Sequence, residues 1–256
     1  MINGILCDLD GVVYQDGKPL PGAVDAVNQL QADGIPLAFV TNTTRSSSAM
    51  IATRLMQMGI EAKAEDVITP ITVARAELES RQIERIWLLA DPALKSGFAG
   101  FALDKHQPQA LVVADLADDW SYSLLNMVFN YLVEHPKVPV ISLGLSTFYQ
   151  GKNQLMLDVG PFAQLLSQAA KAPLVVCGKP GREAFLLGAR QLGLPREQVA
   201  MVGDDLESDV IAAMDAGLTG IQVKTGKFRD QQLQASRQPD VILEGLWGLP
   251  AWLRGQ

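Results

Sequence analysis

Short apolar runs alternate with amphipathic stretches along nearly all of the chain. Residues 4–7 read as a strand. Ala23, Val27 and Leu30 then recur at helical spacing, and Gly34 is placed to end that helix. The run 36–40 predicts the next strand, and Ile51, Leu55 and Met58 the next helical stripe, closed by Gly59. Towards the other end, 174–177, 199–202, 221–223 and 241–243 predict strands, with helices around 184–192 and 210–216. Buried, β-branched strands alternating with helices predict an α/β fold: a mostly parallel sheet with helices on both faces.

The middle of the chain adds apolar runs at 86–90, 111–113 and 138–143. A helix over 121–133 carries Leu124, Val128, Tyr131 and Leu132 on one face. This block either extends the first sheet or forms a second domain. Thr69-Pro70 and Lys171-Ala172-Pro173 favour the second reading, because proline keeps the preceding residue out of helix and marks a connector. A smaller α/β domain at 72–171 then separates the host's two segments, 1–71 and 172–256.

Composition narrows the partners. The 256 residues carry 21 Lys and Arg against 28 Asp and Glu, a net charge of −7, and nucleic acid is excluded as a main partner because phosphate backbones are bound by basic faces. No apolar run approaches the ~20 residues of a bilayer span. The first residues show neither a basic cluster nor a long apolar core, so no export signal is expected and the expected compartment is the cytoplasm. Cys7 and Cys177 sit in apolar runs, as free buried thiols do, and their spacing is not that of a zinc site.

Chemistry is concentrated where strands end. Asp8-Leu9-Asp10-Gly11-Val12 follows the first strand, and on a parallel sheet ligands bind at the carboxyl ends of strands. Residues i and i+2 of an extended chain face the same way, so the two carboxylates face one site, suited to a hard cation such as Mg²⁺. Val40-Thr41-Asn42-Thr43-Thr44 ends the second strand. Cys177-Gly178-Lys179-Pro180 and Val202-Gly203-Asp204-Asp205 end two more, with Asp209 a turn further on. Four core strands are thus expected to deliver a paired acid, a hydroxyl, an ammonium and a second acid cluster. Such a set suits phosphoryl transfer, which needs positioning and charge stabilisation, with a carboxylate as a competent nucleophile.

In that order these segments resemble the four motifs of the haloacid dehalogenase superfamily phosphatases. The large block between the second and third motifs resembles the cap of the NagD-like branch. Asp10-Gly11-Val12-Val13-Tyr14, Pro21-Gly22-Ala23 and Thr225-Gly226-Lys227 are further matches, and Leu157-Asp158-Val159-Gly160-Pro161-Phe162 is similar to a segment of the subgroup containing phospholysine phosphohistidine inorganic pyrophosphate phosphatase. The resemblance implies a Rossmann-like hydrolase core with an inserted α/β cap and a Mg²⁺-dependent phosphatase acting through an aspartyl-phosphate. It makes Asp8 the nucleophile and a metal ligand. Asp10 becomes the general acid/base, with its main-chain carbonyl on the metal. Thr41, Asn42 and Lys179 bind the phosphoryl group, Asp204 completes the metal ligands, and Asp209 supports the site through water or indirect contacts.

A small phosphorylated metabolite is the expected substrate, since a cap of roughly one hundred residues shields the nucleophile from large partners. The apolar cap surface leaves a homodimer as an open expectation. A phosphate-binding or receiver-like regulatory protein without turnover is the alternative, opposed by the length of the chain and by Asp10, for which binding alone has no use. Asp205 reads as either a support of the metal site or a solvated helix-start acid. Arg45 either greets an anionic substrate or lies in solvent. His106 and His135 are expected at the surface, Phe148 and Tyr149 are candidates for substrate contact, and Met50, Met56 and Met58 are expected in ordinary packing.

Overall fold

A computed structural model describes residues 1–150 and 154–256. The chain divides into two compact units: Met1–Thr69 with Arg182–Gln256, and Pro70–Gly181.

The first unit is built on a six-stranded parallel sheet. Its order is Val241–Leu243, Thr219–Val223, Val199–Gly203, Gly4–Asp8, Leu37–Val40 and Val67–Ile68. Side chains alternate across it with period two. Ile5, Cys7, Phe39 and Val202 pack on one face with the helices Ala23–Ala32 and Ser48–Gln57. Leu6 takes the opposite face, beneath the helix Arg182–Gln191. Gly188 leaves room there, since a Cβ on it would meet the Leu6 methyls. Helices therefore cover both faces, as the apolar pattern predicts.

The second unit holds a five-stranded parallel sheet. Its order is Leu174–Val176, Val140–Ser142, Ala110–Val113, Arg85–Leu89 and Ala102–Leu103. Helices Tyr122–Glu134 and Val159–Ala170 supply Val128, Leu132, Ala163 and Leu166 to its core. A hairpin of Phe148–Gln150 and Leu155–Leu157 stands apart from the sheet.

Two sequence expectations need correction. The run at 174–177 was expected in the first sheet, with the host resuming at 172. Instead Leu174–Val176 is an edge strand of the second sheet, tied by Val140 N–H to the Pro173 carbonyl and Cys177 N–H to the Ser142 carbonyl, each at 2.8 Å. The first unit therefore resumes at Arg182. A three-residue apolar run fits either sheet, and its flanks decide which it joins. Of the three methionines, only Met58 packs on the core; Met50 and Met56 are exposed on the outer side of their helix.

Among the described residues no helix is long and apolar enough to cross a membrane. Cys7 and Cys177 are both buried and are not joined in a disulfide.

Candidate active site

Two adjacent strands of the first sheet diverge at its centre. From Gly4–Asp8 the chain moves to Leu37–Val40 on one side, and it later returns to Val199–Gly203 on the other. Ligands of open parallel sheets bind at such a switch point, beyond the carboxyl ends. Asp8 is the last residue of its strand and pairs in register with Val40, so Thr41 emerges one residue beyond at the same edge. Cys7 pairs with Val202, which brings Gly203 and Asp204 out beside Asp8.

The carboxylates of Asp8, Asp204 and Asp209 are all buried, and one oxygen of each lies within 4.8 Å of the others. Asp209 reaches this position through a turn of π-helix at Leu206–Ile211, a local widening often found at functional sites. Its Oδ2 accepts the Asp205 N–H at 3.3 Å. Sequence reasoning gave Asp209 only an indirect part, yet its carboxylate stands in the group itself.

Asp204 is fixed from several sides. Its Oδ2 accepts the main-chain N–H of Lys227 at 2.6 Å, and its carbonyl accepts from the buried amide of Gln222 at 3.5 Å. Gly11 (φ +86°) and Gly226 (φ +54°) press their Cα atoms against this carboxylate, and a Cβ on either would collide with it. The Thr225 hydroxyl donates to the Gly11 carbonyl at 2.5 Å, pinning the two glycine turns together.

Asp10 lies beyond the strand, with an exposed side chain outside the group of three carboxylates. The metal contact expected of it is through the main chain. Tyr14 senses both acids. Burial raises the phenol above its ordinary value and the charges of Asp10 and Asp8 add to this, while Arg54 acts the other way through a hydrogen bond and its charge. Gln222 was not singled out from the sequence, where a glutamine in a strand carries no distinguishing pattern.

Thr41 is buried, and its N–H donates to the Ile68 carbonyl at 3.0 Å. Its hydroxyl accepts the Thr43 N–H at 3.3 Å. Asn42 and Arg45 are exposed on the same loop. Lys179 is buried in the second unit, in the segment following Leu174–Val176. It thus comes from the second sheet rather than from a fourth strand of the first.

Asp205 caps the π-helical turn by accepting the Ser208 N–H at 3.1 Å and pairs with the Lys227 ammonium at 3.1 Å. Burial acts to raise its carboxyl, but these two partners outweigh it and hold the group below the usual carboxylate range. It is a helix-start acid, half-buried rather than fully solvated. In the second unit, Tyr149 lines a cavity of about 290 Å³ beside Trp120 and Phe162, whose rings stack at 4.3 Å, while Phe148 is exposed.

The donor set suits a hard divalent cation. Three buried carboxylates repel one another, and an all-oxygen group is the kind that Mg²⁺, Ca²⁺ or Mn²⁺ takes.

Comparison with known proteins agrees. The haloacid dehalogenase-like hydrolase family matches residues 5–103, and a second model, HAD-hydrolase-like, matches 176–249. The chain is 34% identical over 229 residues to haloacid dehalogenase-like hydrolase domain-containing protein 2 of Rattus norvegicus, covering 90% of this chain and 86% of that protein. It is 32% identical over 248 residues to phospholysine phosphohistidine inorganic pyrophosphate phosphatase of Homo sapiens, covering 95% and 90%. In fold it matches the p-nitrophenyl phosphatase from Archaeoglobus fulgidus with a TM-score of 0.85 at 21% identity, over 98% and 99% of the two chains. NagD from E. coli K-12 matches with a TM-score of 0.81 at 19% identity, over 96% and 97%. The chain belongs to the haloacid dehalogenase-like hydrolases, and within them it is a phosphatase.

Proposed function

We propose that this phosphatase hydrolyses a small phosphorylated metabolite through a phosphoryl group carried on Asp8, with Mg²⁺ held by Asp8, Asp204, Asp209 and the main-chain carbonyl of Asp10. The observation that carries the proposal is the convergence of three buried carboxylates within 4.8 Å at one sheet edge. When bound, the ion supplies positive charge that lets an anionic nucleophile and an anionic phosphoryl group approach.

The residues then have separate tasks. A carboxylate oxygen of Asp8 forms a bond to phosphorus as the bond from phosphorus to the leaving oxygen breaks. Asp10, exposed and free of the buried group, gives that leaving oxygen its proton. The resulting carboxylate of Asp10 then takes a proton from water as the water oxygen bonds to phosphorus. The bond from phosphorus to Asp8 breaks, releasing phosphate. Thr41 and Asn42 are assigned the phosphoryl oxygens, supported by the place of Thr41 one residue beyond the partner of Asp8. Lys179 is assigned their neutralisation on its position in the motif series. Residues 70–181 are assigned the cap that selects the leaving group, and the cytoplasm remains the proposed compartment.

The test is release of p-nitrophenol from p-nitrophenyl phosphate. Release that needs Mg²⁺, stops with chelator and is lost in Asp8→Asn supports the proposal. Release unchanged by Asp8→Asn overturns it.

A further inference from the structure

The second unit has a cavity at the end of its sheet opposite Lys179. Lys179 follows the carboxyl end of Leu174–Val176, and all five strands run parallel. The cavity, of about 490 Å³, instead lies where strands begin: Arg85 opens Arg85–Leu89, Gln109 precedes Ala110–Val113, and Val138 precedes Val140–Ser142. A strand of five residues at ~3.3 Å each separates the two ends.

Its lining is one-sided in charge. Arg85, Lys137, His106 and His135 contribute side chains, and no carboxylate does. These are the only two histidines of a chain whose acids outnumber its basic residues 28 to 21. Among the described residues, neither Arg85 nor Lys137 takes part in an ion pair. The nearby acid, Asp104, accepts the N–H groups of His106 at 2.7 Å and Gln107 at 3.2 Å through its Oδ1, and its charge is felt by His106 and Arg85 from outside the lining.

The walls are fixed in advance of any ligand. Arg85 Nε donates to the Gln107 carbonyl at 3.0 Å, and the Tyr131 hydroxyl donates to the Pro108 carbonyl at 2.8 Å. The Gln109 side-chain oxygen accepts from the N–H groups of Glu84 and Arg85 at 2.9 and 3.0 Å, which leaves its NH₂ end as a donor. The His135 ring stacks on Tyr131 at 4.3 Å, and its Nδ1 lies 3.0 Å from the Tyr131 carbonyl. A carbonyl only accepts, so the Nδ1 nitrogen is the donor in this contact. The cavity offers donors and positive charge on a preorganised frame, the chemistry that holds a phosphate group.

We propose that this cavity is a second anion site, binding the phosphate group of a small metabolite apart from the carboxylate centre. Because both histidines line it, their imidazole resonances report on it alone. Inorganic phosphate is titrated into the Mg²⁺-loaded protein at constant pH and ionic strength, with chloride as the control, and the histidine ring signals are followed by NMR. The proposal predicts that both histidines shift along one saturable curve. Lys137→Glu, a change at an exposed position, weakens that curve roughly tenfold or more, since a charge-assisted contact is lost and a repulsive one gained. Arg85→Gln weakens it likewise. Histidine signals that move no more in phosphate than in chloride overturn the proposal, as does a curve that Lys137→Glu leaves unchanged in a variant with the parent's fold by circular dichroism.

Discussion

The main-chain N–H of Lys227 donates to Asp204 Oδ2 at 2.6 Å, so a residue 23 positions away in sequence orients a carboxylate of the proposed metal site. The glycine before it makes this contact geometrically open. Gly226 adopts a positive φ, and its Cα sits where any side chain would strike Asp204.

Gly226→Ala is therefore expected to displace Asp204. Left-handed backbone strain and overpacking each cost about 1–3 kcal/mol. Urea unfolding reads the stability loss, and Mg²⁺ titration of activity reads the site. Gly34→Ala is the comparison: its φ is also positive, but a Cβ there meets nothing within 4 Å. The strain is shared, so only Gly226→Ala should weaken Mg²⁺ dependence.

Asp209 and Asp205 should separate cleanly. Asp209 stands in the buried carboxylate group, so Asp209→Asn is expected to raise the Mg²⁺ concentration for half-maximal activity by roughly 10–100-fold. Asp205→Asn removes a partner of the exposed Lys227 ammonium and should alter stability by at most about 1 kcal/mol, with little effect on Mg²⁺ dependence. Paired titrations of the two variants check the order.

Asp104 carries a pH-dependent contribution to its loop. The N–H of His106 and then that of Gln107 hold its carboxyl below the usual range. A lowered folded-state pKa stabilises above the ordinary carboxylate value of about 4 and loses that stabilisation as pH falls through the lowered value. Melting curves should place Asp104→Ala below the parent at pH 7, with the difference shrinking as pH falls through the lowered value.

In the second unit, Leu166 is fully buried between helix and sheet. Leu166→Ala is expected to cost about 2–5 kcal/mol, measured by chemical denaturation, through lost burial and the cavity left behind.

The sequence made much of this visible. Asp8, Thr41 and Asp204 follow apolar runs, and parallel pairing turns that adjacency into a shared edge. The helix faces at Val27 and Leu30, and at Val128 and Leu132, follow the 3.6-residue period. What stayed hidden depends on long-range pairing. Leu174–Val176 is too short to declare its sheet, and the strand Val67–Ile68 and the hairpin at Phe148–Gln150 are too brief to show alternation. The π-helical turn that brings Asp209 inward has no compositional mark, and the buried amide of Gln222 acquires its task only when its strand lies beside Val199–Gly203.

The central assignment is that Asp8 carries the phosphoryl group. Asp10→Asn is mixed with p-nitrophenyl phosphate and Mg²⁺, quenched in acid, reduced with borohydride and mapped by peptide mass. The good leaving group needs no acid, so the first half-reaction proceeds while hydrolysis stalls, and position 8 should be recovered as the reduced product of an acyl phosphate. An unmodified Asp8, in a preparation that releases one equivalent of p-nitrophenol per chain, would contradict the assignment.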